Sequence, residues 1–339
     1  GFMSELGISG SRIEGNVAGQ NGGGLAAVEG TEIEIADTVI RGNESGASGG
    51  GISTQDAVAL RLAGAEVAAN DALFGGGLAL DGTEAMIRET RISGNTANEG
   101  GGLYVSTTSR LGLADSEVTG NTVSGSAGGI AAYGGLFGAG VTISGNSAAF
   151  GGGGLASSGE AVLVNATIEG NSARDGGGLA LFNPATSVTL LFSTITGNRA
   201  TGAAPDGAGG GVLTAGDLTL VSSVLAGNAS GGPGPDLLRA GDSPTAFPGV
   251  NLLGTAPETT GGAPFDLAGE IVLGEGNAFT LADVFAAIDP ATGGGTRLPL
   301  GGPVETVAPA AAGPAVDAAA PGITLALDET AFGVDLNGD

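Results

Sequence analysis

The chain has 339 residues, 70 of them glycine and 41% of them apolar, and 35 acidic residues against ten basic ones give a net charge of -25. The glycines follow no Gly-X-Y triplet and the apolar content suffices for a packed core, which argues against collagen and simple disorder; the charge repels phosphate backbones, which argues against nucleic acid as a partner. Cys, His, Lys and Trp are absent, so disulfides, thiolate metal sites, the commonest general base and a Schiff-base amine are all missing.

The first residues, GFMSEL, lack the charged start and apolar stretch of a secretory signal, and no apolar run reaches the length of a membrane span. Any export signal is expected to have been removed or to lie outside this chain. Leu6 already falls at an inward position of a coil, leaving five residues for an N-terminal cap. A bare coil edge is a row of unpaired backbone groups that templates another chain. Either the chain is a segment of something longer or its first coil is covered by a neighbour; the second reading predicts self-association end to end, and contacts that do not close give filaments.

From there the chain is a repeat of about 26 residues anchored on Asn16, Asn43, Asn70, Asn95, Asn121, Asn146, Asn171, Asn198 and Asn228. Three residues before each stands an apolar residue (Ile13, Ile40, Val67, Ile92, Val118, Ile143, Ile168, Ile195, Leu225). Eight before, the column is again apolar except for Gly138, and ten before it is Leu, Ile, Val or Ala. Positions eight and ten share a parity, so they face one side of a strand, while the position three before lies on a second strand past a bend. A third strand follows the glycines, beginning with Leu25, Ile52, Leu78, Leu103, Ile130, Leu155, Leu179 and Val212. The step from Asn to that residue is eight or nine in most repeats and fourteen after Asn198, so length varies in loops around a fixed interior, as in a stacked solenoid.

The prediction is an all-β fold: a single-stranded, right-handed parallel β-helix of about nine coils over residues 1–230, with three short strands per coil, then an irregular β-rich capping segment over 231–339. At about 4.8 Å per coil the rod is about 40 Å long. Glycine supplies the positive φ and close approach that the corners need. The nine Asn residues are expected to stack as a structural ladder, each amide donating to and accepting from its neighbours.

On the outer surface, Glu66, Arg91 and Glu117 fall on successive coils and predict a surface charge ladder, and Glu14 and Arg41 stack likewise. Glu89 and Asp115 also fall on adjacent coils, close enough to share a proton or a calcium ion, although solvated bend residues are the simpler reading. Thr142, Thr167 and Thr194 form a column of the kind found on ice-binding solenoids, which Arg91, Glu117 and Glu169 interrupt. The closing DLNGD, Asp335 to Asp339, spaces its oxygens as a calcium loop does without supplying the remaining ligands. No catalytic, cofactor or metal residue is assigned, and calcium is the one ion considered.

The stretch TISGNSAAFGGGGLASSGEAVLVNATIEGNSARDGGGLAL, residues 142 to 181, resembles bacterial right-handed parallel β-helix surface proteins, including polymorphic outer membrane protein repeats. The tail, with NLLG at 251–254, LADVFAAIDPATGGGTRLPLGGPVETVAPAAAGPAVDAA at 281–319 and the final DLNGD, resembles choice-of-anchor Q proteins. That resemblance implies secretion and attachment to the bacterial cell surface through a more distal anchor.

Function is therefore expected to be non-catalytic, extracellular and structural or adhesive, with a surface glycan or cell-envelope partner and no membrane span in this chain. The alternative is a polysaccharide lyase or hydrolase acting on acidic polysaccharide. Ten arginines against 35 acids suit an anionic substrate poorly, and two tyrosines offer little stacking surface. The segments 199–211 and 229–249 are the expected lateral binding loops.

Overall fold

The structure is a computed structural model that describes residues 4–56, 58–203, 208–275, 279–285, 288, 292, 294, 297–298 and 306–307. The chain winds into a parallel β-helix whose like strands lie above one another in three long sheets. Sheet 1 has ten strands, from Ser4–Ser9 to Thr245–Ala246; sheet 2 has eleven, from Arg12–Glu14 to Ile271–Val272; sheet 3 has ten, from Leu25–Val28 to Glu258–Thr259. Two residues after each corner Asn also pair between coils. They form a fourth line that runs from Val17–Ala18 and Glu44–Ser45, through bridges at Asp71, to Thr96–Ala97 and on to Ala229–Ser230. Each coil thus carries the three expected strands plus this short one, which in the coil of Asn70 is reduced to the bridge at Asp71.

Register follows the columns of the sequence. Ile33, Leu60, Ala85, Leu111 and Leu136 pair in sheet 1, Ile40, Val67, Ile92, Val118 and Ile143 in sheet 2, and Ile52, Leu78, Leu103, Ile130 and Leu155 in sheet 3. All belong to one buried core, because side chains of one parity on three inward-facing sheets can only meet each other. The exception, Gly138, is filled from the next coil: a Cβ there would come within 2.5 Å of Leu163 Cδ2.

Between sheets 1 and 2 the residue six before each Asn adopts a positive φ in all nine coils, Asp37 (48°), Glu89 (49°), Asp115 (45°), Asn165 (51°) and Phe192 (51°) among them. The next residue is often Ser or Thr, and it makes a second ladder. Thr90, Ser116, Ser193 and Ser223 each donate to the carbonyl two residues back and accept the N–H of Ala65, Thr90, Ala166 and Ser193 respectively. Asn251 extends the series by accepting the N–H of Ser223 at 2.8 Å.

The sheets pass the expected boundary at residue 230 without a break, through Leu237–Arg239, Leu252–Leu253 and Ile271–Val272. The core is closed at that end by Phe247, Phe265 and Leu267, with the Arg239 guanidinium 4.3 Å above the Phe265 ring. A one-turn helix, α1 (Leu281–Val284), then packs Val284 and Phe285 against Ala226 and Leu252. Leu253 points into the core, so its neighbour Leu252, and α1 with it, lies on the outer face of sheet 2. The described part of the capping segment thus includes helix besides short strands. The DLNGD motif lies outside the described residues.

Candidate functional site

The nine Asn residues form the predicted ladder. Each Nδ2 from Asn16 to Asn198 donates to the Oδ1 of the next Asn at 2.9–3.0 Å. The backbone N–H of the same residue shares that acceptor, as Asn95 does with Asn121 and Asn121 with Asn146. The second Nδ2 hydrogen reaches back to an interior residue of the preceding coil, Asn95 to the Val67 carbonyl and Asn121 to that of Ile92. From Asn43 to Asn198 both donors and the Oδ1 acceptor are used, so these buried amides leave no hydrogen bond unmet. The ladder is buried in the corner of the coils, and it leaves the outer surface as the part of the fold that solvent reaches.

The charge columns are only partly joined. Glu66, Arg91 and Glu117 are register partners, and Arg91 Nη1 pairs with Glu117 at 2.5 Å; no ion pair joins Glu66 to Arg91. Glu14 and Arg41 are also in register, yet Glu14 is taken by Arg12 of its own strand at 2.5 Å, and this pairing holds its carboxyl below the usual range. Side chains two apart on a strand share a face and meet as readily as those on adjacent coils. A pair between Arg61 and Glu32, at 2.6 Å, was not expected from the columns. Glu89 and Asp115 are exposed bend residues, and among the described residues no three Asp, Glu, His or Cys side chains gather as metal ligands do. Thr142 and Thr167 are buried, so that column offers no open face. The expected lateral loops lie in part outside the described residues, at 204–207.

The surface feature that the columns did not reveal is an aromatic series along sheet 3. Phe74 precedes its coil's glycines, Tyr104 is the outward residue of Leu103–Val105, and Tyr133 follows Ile130–Ala132. Their rings lie 5.5 Å apart, Phe74 to Tyr104 and Tyr104 to Tyr133, each pair tilted by 59°. The floor beneath the tyrosines is made of small residues, Ala127, Ala131 and Ala156. The Tyr133 hydroxyl donates to Glu99. Burial, then that carboxylate, pushes the Tyr133 phenol far above its usual range; burial, then Glu99 and Asp81, raises Tyr104. Both phenols are neutral hydroxyls near pH 7, as an ordinary phenol already is, and the Tyr133 hydrogen is committed to Glu99. Beside Tyr104 a cleft of about 270 Å³ opens between the pre-glycine loop and the turn after the strand, lined by Ser48, Ser53, Gln55, Phe74, Asp81 and Ser106 among others. The signal available in the sequence was the placement of both tyrosines in adjacent coils.

Stacked parallel coils, a buried amide ladder and a lateral cleft define a parallel β-helix repeat protein. Residues 5–148 match the family described as right handed beta helix region, which covers the ladder from Asn16 to Asn146 and the whole aromatic series. Comparison with curated proteins and with solved structures gives no match.

Proposed function

We propose that this chain is a non-catalytic extracellular solenoid with a structural or adhesive role: a rigid acidic rod that presents its sheet 3 face to a surface glycan or other cell-envelope partner and associates end to end. What supports the reading is how the polar side chains are used. The corner amides and hydroxyls are tied up in two internal ladders, and the groups on the sheet 3 face are of a recognition type, with neutral phenols, aromatic faces and small hydroxyls over an alanine floor. A lyase acting on polyuronate needs a basic group beside its carboxylates, and Arg91, the arginine set in register between two glutamates, is held by Glu117.

Two further features bear on assembly and location. Ile8, Ile13 and Leu25 form a half-buried layer at one end of the described core. The opposite end is closed by Phe247 and Phe265, so joined rods would meet through different surfaces. The resemblance of the tail to choice-of-anchor Q proteins supports a secreted, surface-attached location.

Electron microscopy and light scattering of the purified chain, together with incubation on pectin and alginate with calcium, test the proposal. Rods that lengthen with concentration and leave both polymers intact are the expected result. Cleavage of either polymer overturns the non-catalytic reading, and monodisperse monomers at every concentration remove the end-to-end contact.

A further inference from the structure

The cleft beside Tyr104 has a chemistry of its own. Its walls carry the rings of Phe74 and Tyr104, the carboxylate of Asp81 and the hydroxyls of Ser48 and Ser53, and among the described residues no basic side chain lines it. Asp81 is exposed and accepts one long hydrogen bond, 3.3 Å from Thr108. Glu99 stands close enough, with Asp81, to act on the Tyr104 phenol.

Two other rings of the protein are met by its own cations. Arg174 lies 5.6 Å from the centre of the Phe150 ring and Arg239 lies 4.3 Å from that of Phe265. Among the described residues the Phe74 and Tyr104 rings have no such partner, although the carboxylates of Asp81 and Glu99 stand beside them. An aromatic face attracts a cation through its quadrupole, more strongly where water is partly excluded, and a chain of net charge -25 concentrates cations around it.

We propose that this cleft is a binding site for an organic cation, a quaternary ammonium or guanidinium head that lies over Phe74 and Tyr104 with Asp81 as its counter-charge. A simple metal ion would leave the rings unused, and a neutral ligand of the same shape would leave the carboxylates unused. At about 270 Å³ the cleft falls just below the usual range for drug-sized ligands, a fit for one small cation or one basic side chain. The site does not depend on rods joining end to end.

The chain has two tyrosines, Tyr104 and Tyr133, and no Trp, so its ultraviolet fluorescence comes from this series alone. Titrations of the whole protein with choline, with N-acetylargininamide and with the uncharged choline isostere 3,3-dimethylbutanol should give a saturable change for one or both cations and none for the isostere. Whichever cation binds more tightly tells a free quaternary amine from a basic side chain of a partner. Tyr104→Ala should weaken the preferred cation about three- to thirtyfold, the range of a single cation–π contact, with circular dichroism confirming the fold and calorimetry replacing the lost signal. Asp81→Asn, an exposed change, should weaken it less and flatten its salt dependence. Equal binding of the neutral isostere, no saturation with either cation, or full affinity in both variants overturns the proposal.

Discussion

Asp236 closes the amide ladder by standing in for the asparagine that a further coil would bring. It occupies the position of the third glycine, aligned with Gly211, whose added Cβ would come within 2.6 Å of the Asp236 carbonyl. The next strand, Glu258–Thr259, pairs only with Leu238 and Arg239, which leaves room for a side chain at 236. The carboxylate takes the Nδ2 hydrogen of Asn228 at 2.8 Å and its N–H at 3.0 Å on one oxygen, and the Thr255 hydroxyl at 2.9 Å on the other. Asp236→Ala leaves both Asn228 donors unmet and should cost about 2–4 kcal/mol in urea unfolding, whereas Asp236→Asn keeps an acceptor and should cost less than about 1 kcal/mol.

Acid should stabilise the wild type relative to Asp236→Asn. Burial raises the Asp236 carboxyl above its ordinary 3.8, outweighing the hydrogen bonds that lower it. The folded state then binds a proton more tightly than the unfolded chain, so this contribution is present in full below 3.8 and is lost as pH rises through the folded value. Unfolding midpoints of the two proteins, compared from pH 7 down to pH 4, should diverge in favour of the wild type toward acid; parallel curves would show that Asp236 titrates normally.

A break in mid-ladder should be far more costly than one at its head. Asn121→Ala strands the N–H and one Nδ2 hydrogen of Asn95 and the carbonyl of Ile92, all buried, for about 3–6 kcal/mol in chemical denaturation. Asn16 is exposed and heads the ladder, so Asn16→Ala should cost less than about 1 kcal/mol.

Two kinds of glycine should respond differently to alanine. Gly145 has φ 60° and no neighbour nearer than 3.9 Å to an added Cβ, so Gly145→Ala should lose only the left-handed backbone term, about 1–2 kcal/mol. At Gly129 a Cβ would sit 2.5 Å from the Gly154 carbonyl oxygen and 3.1 Å from Asn146 Nδ2, so Gly129→Ala should cost about 3 kcal/mol or more by forcing coils and ladder apart. The converse holds at Ala69, which has φ 52° in the corner column otherwise filled by glycine: Ala69→Gly should raise thermal stability by about 1 kcal/mol.

Arg91→Ala should change stability by about 0–1 kcal/mol, and by less in high salt, because the pair with Glu117 is exposed on the arginine side. A larger loss on thermal unfolding would mean that the charge column sets register.

The stacking was legible in the sequence because each coil repeats the same environment, so Asn95 and Asn121, or Ile92 and Val118, recur at the same offset. The Ser and Thr ladder was there too, one residue past the left-handed bend, at Thr90, Ser116, Ser193 and Ser223. Charge partners were not fully legible: Glu14 sits in register with Arg41 but meets Arg12, because long flexible side chains choose among several neighbours of similar distance.

The sequence by itself determined which residues face inward, which corners need glycine and which amides stack, since period and parity dictate these wherever one face of a strand is buried. Where the aromatic rings meet was settled by three-dimensional packing alone. Phe74, Tyr104 and Tyr133 come from a loop, a strand and a turn, three different offsets within the repeat, and they converge because side-chain reach across an outer face is not bound to the register that fixes the core.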